Sequence, residues 1–307
     1  MGECESVLQL PVIDLSSSDK ISTANCIRQA CTDYGFFYLI NHGIQEQLLQ
    51  TVFHESKNFF SLPLEHKMKL ARKGNFGFSP IYAETLDSSS KGDCKETFHI
   101  GPLESHLNQW PSKEMLPSWR LIMEEYYQKV LSVGKRLVTL IAMALNLEDD
   151  FFEKIGALDN PYAFLRLLHY PGEMETSDEE VVYGASAHSD YGMLTLLATD
   201  AVPGLQVCRE KDKQPRIWED VKHVNGALII NIGDMLERWT NCLFRSTLHR
   251  VMPTGKERYS FAFFLDPNEN CMVECLKSCC SDVSPPLFPP IRSGDYLRER
   301  IEATYSS

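Results

Sequence analysis

The 307-residue sequence lacks any long apolar run, and no stretch approaches the roughly 18 consecutive apolar residues of a membrane-spanning helix. It has no basic cluster either, since 30 lysines and arginines stand against 42 acidic residues, a formal net charge of −12. Such a chain would repel phosphate backbones and anionic lipid surfaces. Acidic residues in the first twenty positions also differ from a basic and apolar export leader. We therefore expect no membrane, no nucleic acid partner and no export.

Internal repeats, low-complexity tracts and paired Cys-x-x-Cys motifs are absent as well. The ten cysteines are scattered, and the late group Cys271, Cys275, Cys279 and Cys280 does not have the spacing of a zinc site. We interpret these residues as free thiols, which indicates a reducing compartment, the cytoplasm. With 43% apolar residues and no dividing linker, the chain should fold as one integrated unit.

Hydrophobic spacing predicts a mixed first third, with helices over residues 21–34 and 44–72 and a strand over 35–40. Residues 74–92 are predicted to form a surface loop, and residues 111–147 one long amphipathic helix that supports the back of a sheet. From about residue 162, short apolar runs are separated by turn residues, a pattern typical of a two-sheet β-sandwich. The predicted strands cover residues 163–170, 192–198, 205–207, 227–231, 247–252 and 260–265.

Residues 187–197, AHSDYGMLTLL, contain the most informative pair, His188 and Asp190. Alternate side chains of an extended segment share a face, so both should point inward. His249, on a distant predicted strand, would complete three ligands on one side of a metal ion. Two imidazoles and one carboxylate with open positions opposite are the facial triad of non-haem Fe(II) oxygenases.

Arg258 and Ser260 share a face of the following aromatic strand, RYSFAFFL. A buried guanidinium needs a planar anionic partner, and the sequence shows no fixed carboxylate for it. A diffusible dicarboxylate would meet that need.

With HSD (188–190), STLHRV (246–251) and RYS (258–260), the chain resembles the plant-type soluble 2-oxoglutarate- and Fe(II)-dependent dioxygenases. The upstream segments PVIDL (11–15), GFFYLINHGI (35–44), FFSLPLEHK (59–67) and NIGDM (231–235) extend the resemblance over nearly the whole chain. The resemblance implies an α+β fold with a double-stranded β-helix, or jelly-roll-like, core and iron between its sheets. It further implies that 2-oxoglutarate and dioxygen are co-substrates, with ascorbate as reductant.

On this resemblance we expect four parts of one catalytic unit. Residues 1–110 would form an N-terminal region, 111–160 a long helix and connection, 161–270 the catalytic core, and 271–307 a segment that caps the active site. A monomer acting on a small molecule is expected, and the reaction would be hydroxylation of an unactivated C–H bond, with desaturation or ring formation as other outcomes. A plant specialised metabolite or hormone is the preferred substrate.

The resemblance also implies roles for residues near the predicted metal. Tyr170 would contact 2-oxoglutarate, although Leu168 stands where the family commonly has asparagine in its Asn-x-Tyr-Pro motif. Asp234 and Arg250 are given structural roles, the first in a turn that bonds local backbone groups and the second in an ion pair on the opposite face from His249. The expected substrate contacts are Phe98, Glu96, Arg166, Phe264 and Asp266.

Two other functions stay open. One is an oxidase that uses ascorbate instead of 2-oxoglutarate, as in ethylene formation. The other is a catalytically silent binding protein on the same fold, against which the intact triad argues.

Overall fold

The computed structural model describes residues 8–84, 92–172 and 182–305. The helices of this part of the chain are α1 (Lys20–Asp33), α2 (Glu46–Phe60), α3 (Leu64–Met68), α4 (Trp119–Ala144), α5 (Phe151–Lys154), α6 (Asp234–Trp239) and α7 (Ser293–Tyr305), with a short 3₁₀ turn at Lys277–Cys279. The predicted helix over 44–72 is divided into α2 and α3 before Pro63, because proline disfavours helical backbone at the residue that precedes it. For the same reason α4 begins at Trp119, after Pro111 and Pro117, rather than at residue 111.

The strands are β1 (Val12–Asp14), β2 (Phe36–Ile40), β3 (Gly77–Ser79), β4 (Glu96–Ile100), β5 (Tyr162–Tyr170), β6 (Ala185–His188), β7 (Leu194–Thr199), β8 (Leu205–Cys208), β9 (Glu219–Asp220), β10 (Leu228–Ile232), β11 (Leu248–Val251), β12 (Arg258–Asp266), β13 (Met272–Val273) and β14 (Ile291–Arg292). An eight-stranded sheet has the order β1-β2-β10-β7-β12-β5-β4-β3, and a four-stranded sheet the order β6-β11-β8-β9. β13 and β14 pair separately. All six strands predicted after residue 162 are present, within a few residues of the predicted bounds.

The two larger sheets face each other across an apolar cluster. Strands β2, β5, β10 and β12 contribute to it from the large sheet, and β6, β8 and β11 from the small one. This arrangement is the predicted two-sheet sandwich. Side chains that point inward from either sheet therefore share one interior, where the functional residues lie.

Helix α4 covers the outer face of the large sheet. Its Tyr126 and Tyr127 pack edge-on against Phe261 and Phe263 of β12, with ring centroids 5.0 Å apart in each pair. Gly134 allows the close approach, because a Cβ there would lie 2.7 Å from the Leu265 side chain. The helix thus supports the back of the sheet, as predicted.

Three strands of the large sheet, β1, β3 and β4, were not predicted. β3 lies within residues 74–92, which were expected to be loop, and β4 joins β3 to β5; residues 85–91 of that loop lie outside the described part of the chain. Because β3 and β4 precede α4 but extend the sheet that holds β5 and β12, the N-terminal region and the core share one sheet. The four-part division of the chain stays a prediction. No helix among the described residues is both long and apolar enough to cross a bilayer.

Candidate metal centre and its two cavities

Three side chains converge between the sheets at the end of β6. His188 closes that strand and pairs in register with His249 of β11, and their ring centroids are 4.2 Å apart. Asp190 Oδ1 lies 3.7 Å from the Nε2 atom of each histidine. One ligand atom from each residue lies within 4.8 Å of the others, and the described residues contain no other such cluster of histidine, cysteine and acidic groups.

Hydrogen bonds fix the orientation of all three groups. The Nδ1 atom of His188 lies 2.7 Å from the Ser186 carbonyl oxygen, and that of His249 lies 3.1 Å from the Thr247 carbonyl oxygen. A carbonyl only accepts, so Nδ1 carries the proton in each ring and Nε2 keeps a free lone pair. Such support of the outer nitrogen is what a metal-ligating histidine needs.

Asp190 lies beyond the end of β6, so strand alternation does not place it, contrary to the prediction. Thr195 Oγ1 and Asn231 Nδ2 donate to its Oδ2 over 2.6 and 2.7 Å, which leaves Oδ1 toward the histidines. Burial would raise the pKa of Asp190, but the two imidazoles and these donors hold it below its ordinary value. Burial, followed by the charge of His249, lowers the pKa of His188 to about 3. One carboxylate and two imidazoles on one side fit Fe(II).

Arg258, the first residue of β12, is only 3% exposed. Its Nε donates to the Val202 carbonyl over 3.3 Å, another guanidinium nitrogen donates to Ser260 Oγ over 3.3 Å, and the group lies 4.9 Å from the Tyr170 ring centroid. No carboxylate among the described residues lies within 4.0 Å of it. The groups that it contacts are thus neutral, which suits the guanidinium to an incoming carboxylate.

A small cavity connects this arginine with the triad. Its volume is about 60 Å³. Its walls include all three triad residues together with Arg258, Ser260 and Tyr170, and also the apolar Leu168. We call it the inner cavity. A dicarboxylate with one end at the metal would place its other carboxylate at Arg258.

A second, larger cavity of about 140 Å³ also has His188 and Asp190 in its walls. We call it the outer cavity. Arg166 and Phe264 belong to the walls of both cavities. The other residues that line the outer cavity include Arg72, Phe76, Glu84, His99, Phe164, Asp266, Leu297 and Ile301. The triad thus lies where two differently lined spaces meet.

Comparison with known proteins agrees with this geometry. Residues 161–267 match the 2OG-Fe(II) oxygenase superfamily, and residues 10–113 match the family described as non-haem dioxygenase in morphine synthesis, N-terminal. Azadirone synthase of Melia azedarach is 40% identical, with 100% of this chain and 96% of that protein covered. The 1-aminocyclopropane-1-carboxylate oxidase of Dictyostelium discoideum is 34% identical, with 87% and 84% covered.

The chain belongs to the 2OG-Fe(II) oxygenase superfamily. A full-length Neurospora crassa protein, in its crystal structure with α-KG, superimposes with a TM-score of 0.87 at 30% identity, with 98% of both chains covered. The expected double-stranded β-helix core and the plant-type resemblance are thereby confirmed. The protein is a dioxygenase that uses Fe(II) and 2-oxoglutarate.

Of the five expected substrate contacts in this oxygenase, three line the outer cavity: Arg166, Phe264 and Asp266. Phe264 of β12 stacks on Phe164 of β5, with centroids 4.5 Å and planes 13° apart. The main chain of Met193 donates to Asp266 Oδ1 over 2.7 Å. Burial, reinforced by the nearby Asp190 carboxylate, raises the pKa of Asp266 to about 7.

The structure places Phe98 and Glu96 elsewhere, so their assignment as pocket residues was wrong. Phe98 is fully buried in the core beneath the sheet, with ring centroids 4.7 Å from Phe59 and 5.1 Å from Trp119. Glu96 accepts from Lys67 Nζ over 2.7 Å and also bonds His169 Nδ1. Side chains alternate along β4, and its even-numbered residues face away from the cavities.

The odd-numbered residues around β4 were missed. Lys95 lines the inner cavity and His99 the outer one. Glu84, in the region predicted as surface loop, contacts Arg166 and accepts from Thr97 Oγ1 over 3.2 Å. Burial raises the pKa of Glu84, but the charge of Arg166 and other cations holds it well below its ordinary value. Polar residues occur on both faces of a strand over KETFHI, so this pattern gave no signal for the face that lines the cavities.

Asp234 is not part of the metal cluster. It does not bond local backbone through its side chain as predicted: Oδ1 accepts from Ser246 Oγ over 2.5 Å, and Oδ2 lies 3.3 Å from Arg300 of α7. Arg250 donates to Gln206 over 2.8 Å and stacks 4.1 Å from the Trp218 ring. These contacts are with an amide and an indole rather than with the expected carboxylate.

The four late cysteines belong to no metal cluster among the described residues, and each has a free thiol. Their interpretation as ordinary thiols is consistent with this.

Proposed function

We propose that this oxygenase oxidises an unactivated C–H bond of a plant small molecule, a specialised metabolite or hormone, with hydroxylation as the default outcome. The observation that carries the proposal is the meeting of two cavities at His188 and Asp190, one containing an arginine without a carboxylate partner and the other lined by aromatic and aliphatic groups. The similarity to azadirone synthase supports a plant metabolite as substrate.

In this proposal His188, Asp190 and His249 hold Fe(II). Fe(II) with bound 2-oxoglutarate and dioxygen supplies the oxidation, in which 2-oxoglutarate is converted to succinate and carbon dioxide. Arg258 and Ser260 bind the carboxylate of 2-oxoglutarate far from the iron. Burial raises the pKa of the Tyr170 hydroxyl, so it stays protonated and can donate to the same carboxylate.

The outer cavity favours a mainly apolar substrate with a flat ring. Phe264 contacts both cavities and presents a ring held by its stacking on Phe164, so it can position a substrate beside the metal. Leu297 and Ile301 of α7 add an aliphatic wall, which supports the predicted capping role of the C-terminal segment. The Glu84 and Arg166 pair provides the polar edge.

An oxidase that uses ascorbate without 2-oxoglutarate is the second candidate, and the similarity to an aminocyclopropane carboxylate oxidase favours it. Arg258 argues for 2-oxoglutarate. The deciding assay supplies Fe(II), ascorbate and a plant small-molecule fraction to the purified protein and measures succinate and oxidised products with and without 2-oxoglutarate. Product that depends on 2-oxoglutarate and is absent with Asp190→Ala supports the proposal. Product without 2-oxoglutarate supports the second candidate, and metal binding without any turnover would indicate a silent binding protein.

We further propose that the enzyme is a cytoplasmic monomer without nucleic acid or membrane partners. The net charge of −12 and the free thiols of the nine described cysteines support this. Light scattering after size exclusion and imaging of a fluorescent fusion test both parts; a stable dimer or an organellar signal would contradict them.

A further inference from the structure

A buried ion pair in the wall of the inner cavity has no part in the function proposed so far. The side chain of Lys95 is 1% exposed and that of Asp93 is fully buried, and Lys95 Nζ bonds Asp93 Oδ2. Asp93 Oδ1 accepts from Ser186, through its main-chain N–H over 2.8 Å and its hydroxyl over 2.6 Å. Ser186 belongs to β6, two residues before the ligand His188. The pair is thus anchored to the strand that carries the metal site.

A buried pair of this kind contributes little to folding, because the cost of removing two charges from water offsets their attraction. Asp93 is well satisfied by its three donors. Lys95 is not, because an ammonium group has three N–H donors and, among the described residues, only Asp93 accepts from it. Two donors of a buried cation therefore lie in the wall of the inner cavity without an acceptor among the described residues.

The position of Lys95 is at the metal end of this cavity. Its partner Asp93 is bonded to Ser186, two residues before His188, and Lys95 lines the inner cavity together with the three triad residues. Lys95 also interacts electrostatically with Arg166 and Glu84, which line the outer cavity beside the metal site. Arg258, by contrast, contacts Val202 and Ser260, neither of which lines the outer cavity.

The neighbouring strand β5 brings one other cation to the inner cavity, Arg166, and that guanidinium is bonded to Glu84. Leu168 of β5 reaches the inner cavity with an aliphatic side chain and pairs in register with Thr97, two residues after Lys95. A dicarboxylate that extends from Arg258 to the metal would bring its second carboxylate into the space beside Lys95.

We propose that Lys95 is a positioning residue that donates from Nζ to the carboxylate next to the 2-oxo group of bound 2-oxoglutarate. The inference rests on the proposed binding of 2-oxoglutarate in the inner cavity. Lys95 and Arg258 then bind the two ends of one molecule, and Lys95 orients the group that chelates the metal. Asp93 holds the ammonium in place and ties it to β6.

Two ligands separate the roles of the two cations. 2-Oxoglutarate has both carboxylates, whereas 2-oxobutyrate has only the one beside the 2-oxo group. Anaerobic titration of the Fe(II)-loaded protein, followed by calorimetry and by the charge-transfer absorption of the chelated 2-oxo acid, measures binding without turnover. Lys95→Met should weaken both ligands by the same factor, about 10- to 100-fold. Arg258→Ala should weaken 2-oxoglutarate alone.

Asp93→Asn is the matched control, since it removes the other charge of the pair but leaves the ammonium. If Lys95 serves only to hold β6 in place, Asp93→Asn and Lys95→Met should weaken ligand binding equally. That result would overturn the proposal. We expect Asp93→Asn to retain affinity within about threefold, and the double variant Asp93→Asn/Lys95→Met, which leaves no unpaired buried charge, to behave like Lys95→Met. Unchanged 2-oxobutyrate affinity in a folded, metal-loaded Lys95→Met protein would also refute it. Failure of the wild-type protein to bind 2-oxoglutarate would instead refute the underlying proposed function.

Discussion

Replacement of Arg258 by alanine is the most direct test of the co-substrate site. The side chain is 3% exposed and touches Val202, Ser260 and Tyr170, none of which carries a charge at neutral pH. Without the guanidinium, the far carboxylate of 2-oxoglutarate would enter a buried space with only hydroxyl donors. The iron ligands do not contact this group, so metal binding should persist.

The size of the effect follows from the burial. Removing one partner of a buried, hydrogen-bonded ion pair costs about 3–5 kcal/mol, because the remaining charge stays desolvated and unpaired. This corresponds to roughly two to almost four orders of magnitude in the dissociation constant of 2-oxoglutarate. Arg258→Lys should recover only part of the loss, since an ammonium cannot form the bidentate contact.

Calorimetric titration of 2-oxoglutarate into the metal-loaded, oxygen-free protein measures this effect. Arg136 of α4 provides a control, because it is an exposed arginine that donates to the main-chain carbonyls of Leu15 and His42 and lines neither cavity. Arg136→Ala should leave the affinity unchanged. Unchanged affinity in Arg258→Ala would refute the assignment of the inner cavity and favour the ascorbate-dependent alternative.

Three further outcomes are expected. Asp190→Ala should abolish turnover and reduce bound iron measured by elemental analysis, and full activity in this variant would contradict the triad. Phe264→Ala should lower the ratio of oxidised product to succinate. Phe98→Ala should leave that ratio unchanged but lower the free energy of unfolding, measured with denaturant, by about 3–5 kcal/mol. The opposite pattern would indicate that Phe98 is a substrate contact after all. Burial lowers the pKa of His42 from 6.5, and the Ile44 N–H donates to its Nδ1, so the folded protein favours the neutral ring. The unfolded chain therefore binds more protons below pH 6.5, and the thermal stability should fall as the pH drops below this value. His42→Gln should reduce that pH dependence, and an identical pH profile in the variant would exclude His42 as its source.

The sequence correctly predicted the core strands whose inner faces are apolar, but it did not predict β4. Runs such as residues 260–265 show their burial through composition alone. In β4, polar and charged residues occupy both faces and every residue is buried, because partners from distant segments neutralise them. Glu96 depends on Lys67 and His169, which no local pattern brings together. Without knowledge of these partners, the sequence could not show whether the odd-numbered or the even-numbered residues of β4 face the cavities. Phe98 was therefore assigned to the wrong face.

The metal site was predictable for a different reason. His188 and His249 occupy strands whose pairing follows from the fold that the motifs imply, and the structure brings them together. The carboxylate of Asp190 lies past the strand end, where Thr195 and Asn231 fix it through side-chain hydrogen bonds. Those contacts come from β7 and β10, so the sequence identified the ligand but gave the wrong reason for its orientation.

Buried charges around the two cavities differ in how they are neutralised, and this difference identifies the ligand sites. Glu84 contacts Arg166, and Lys95 contacts Asp93, so these charges are balanced by the protein itself. Arg258 has no carboxylate within 4.0 Å among the described residues. The Asp200 carboxylate interacts with Arg258 only over a longer distance, so the carboxylate of a ligand can supply the close, hydrogen-bonded counter-charge that a buried guanidinium favours. The same reasoning explains why Lys95, although paired, matters: its two remaining donors are satisfied when that ligand extends to the metal.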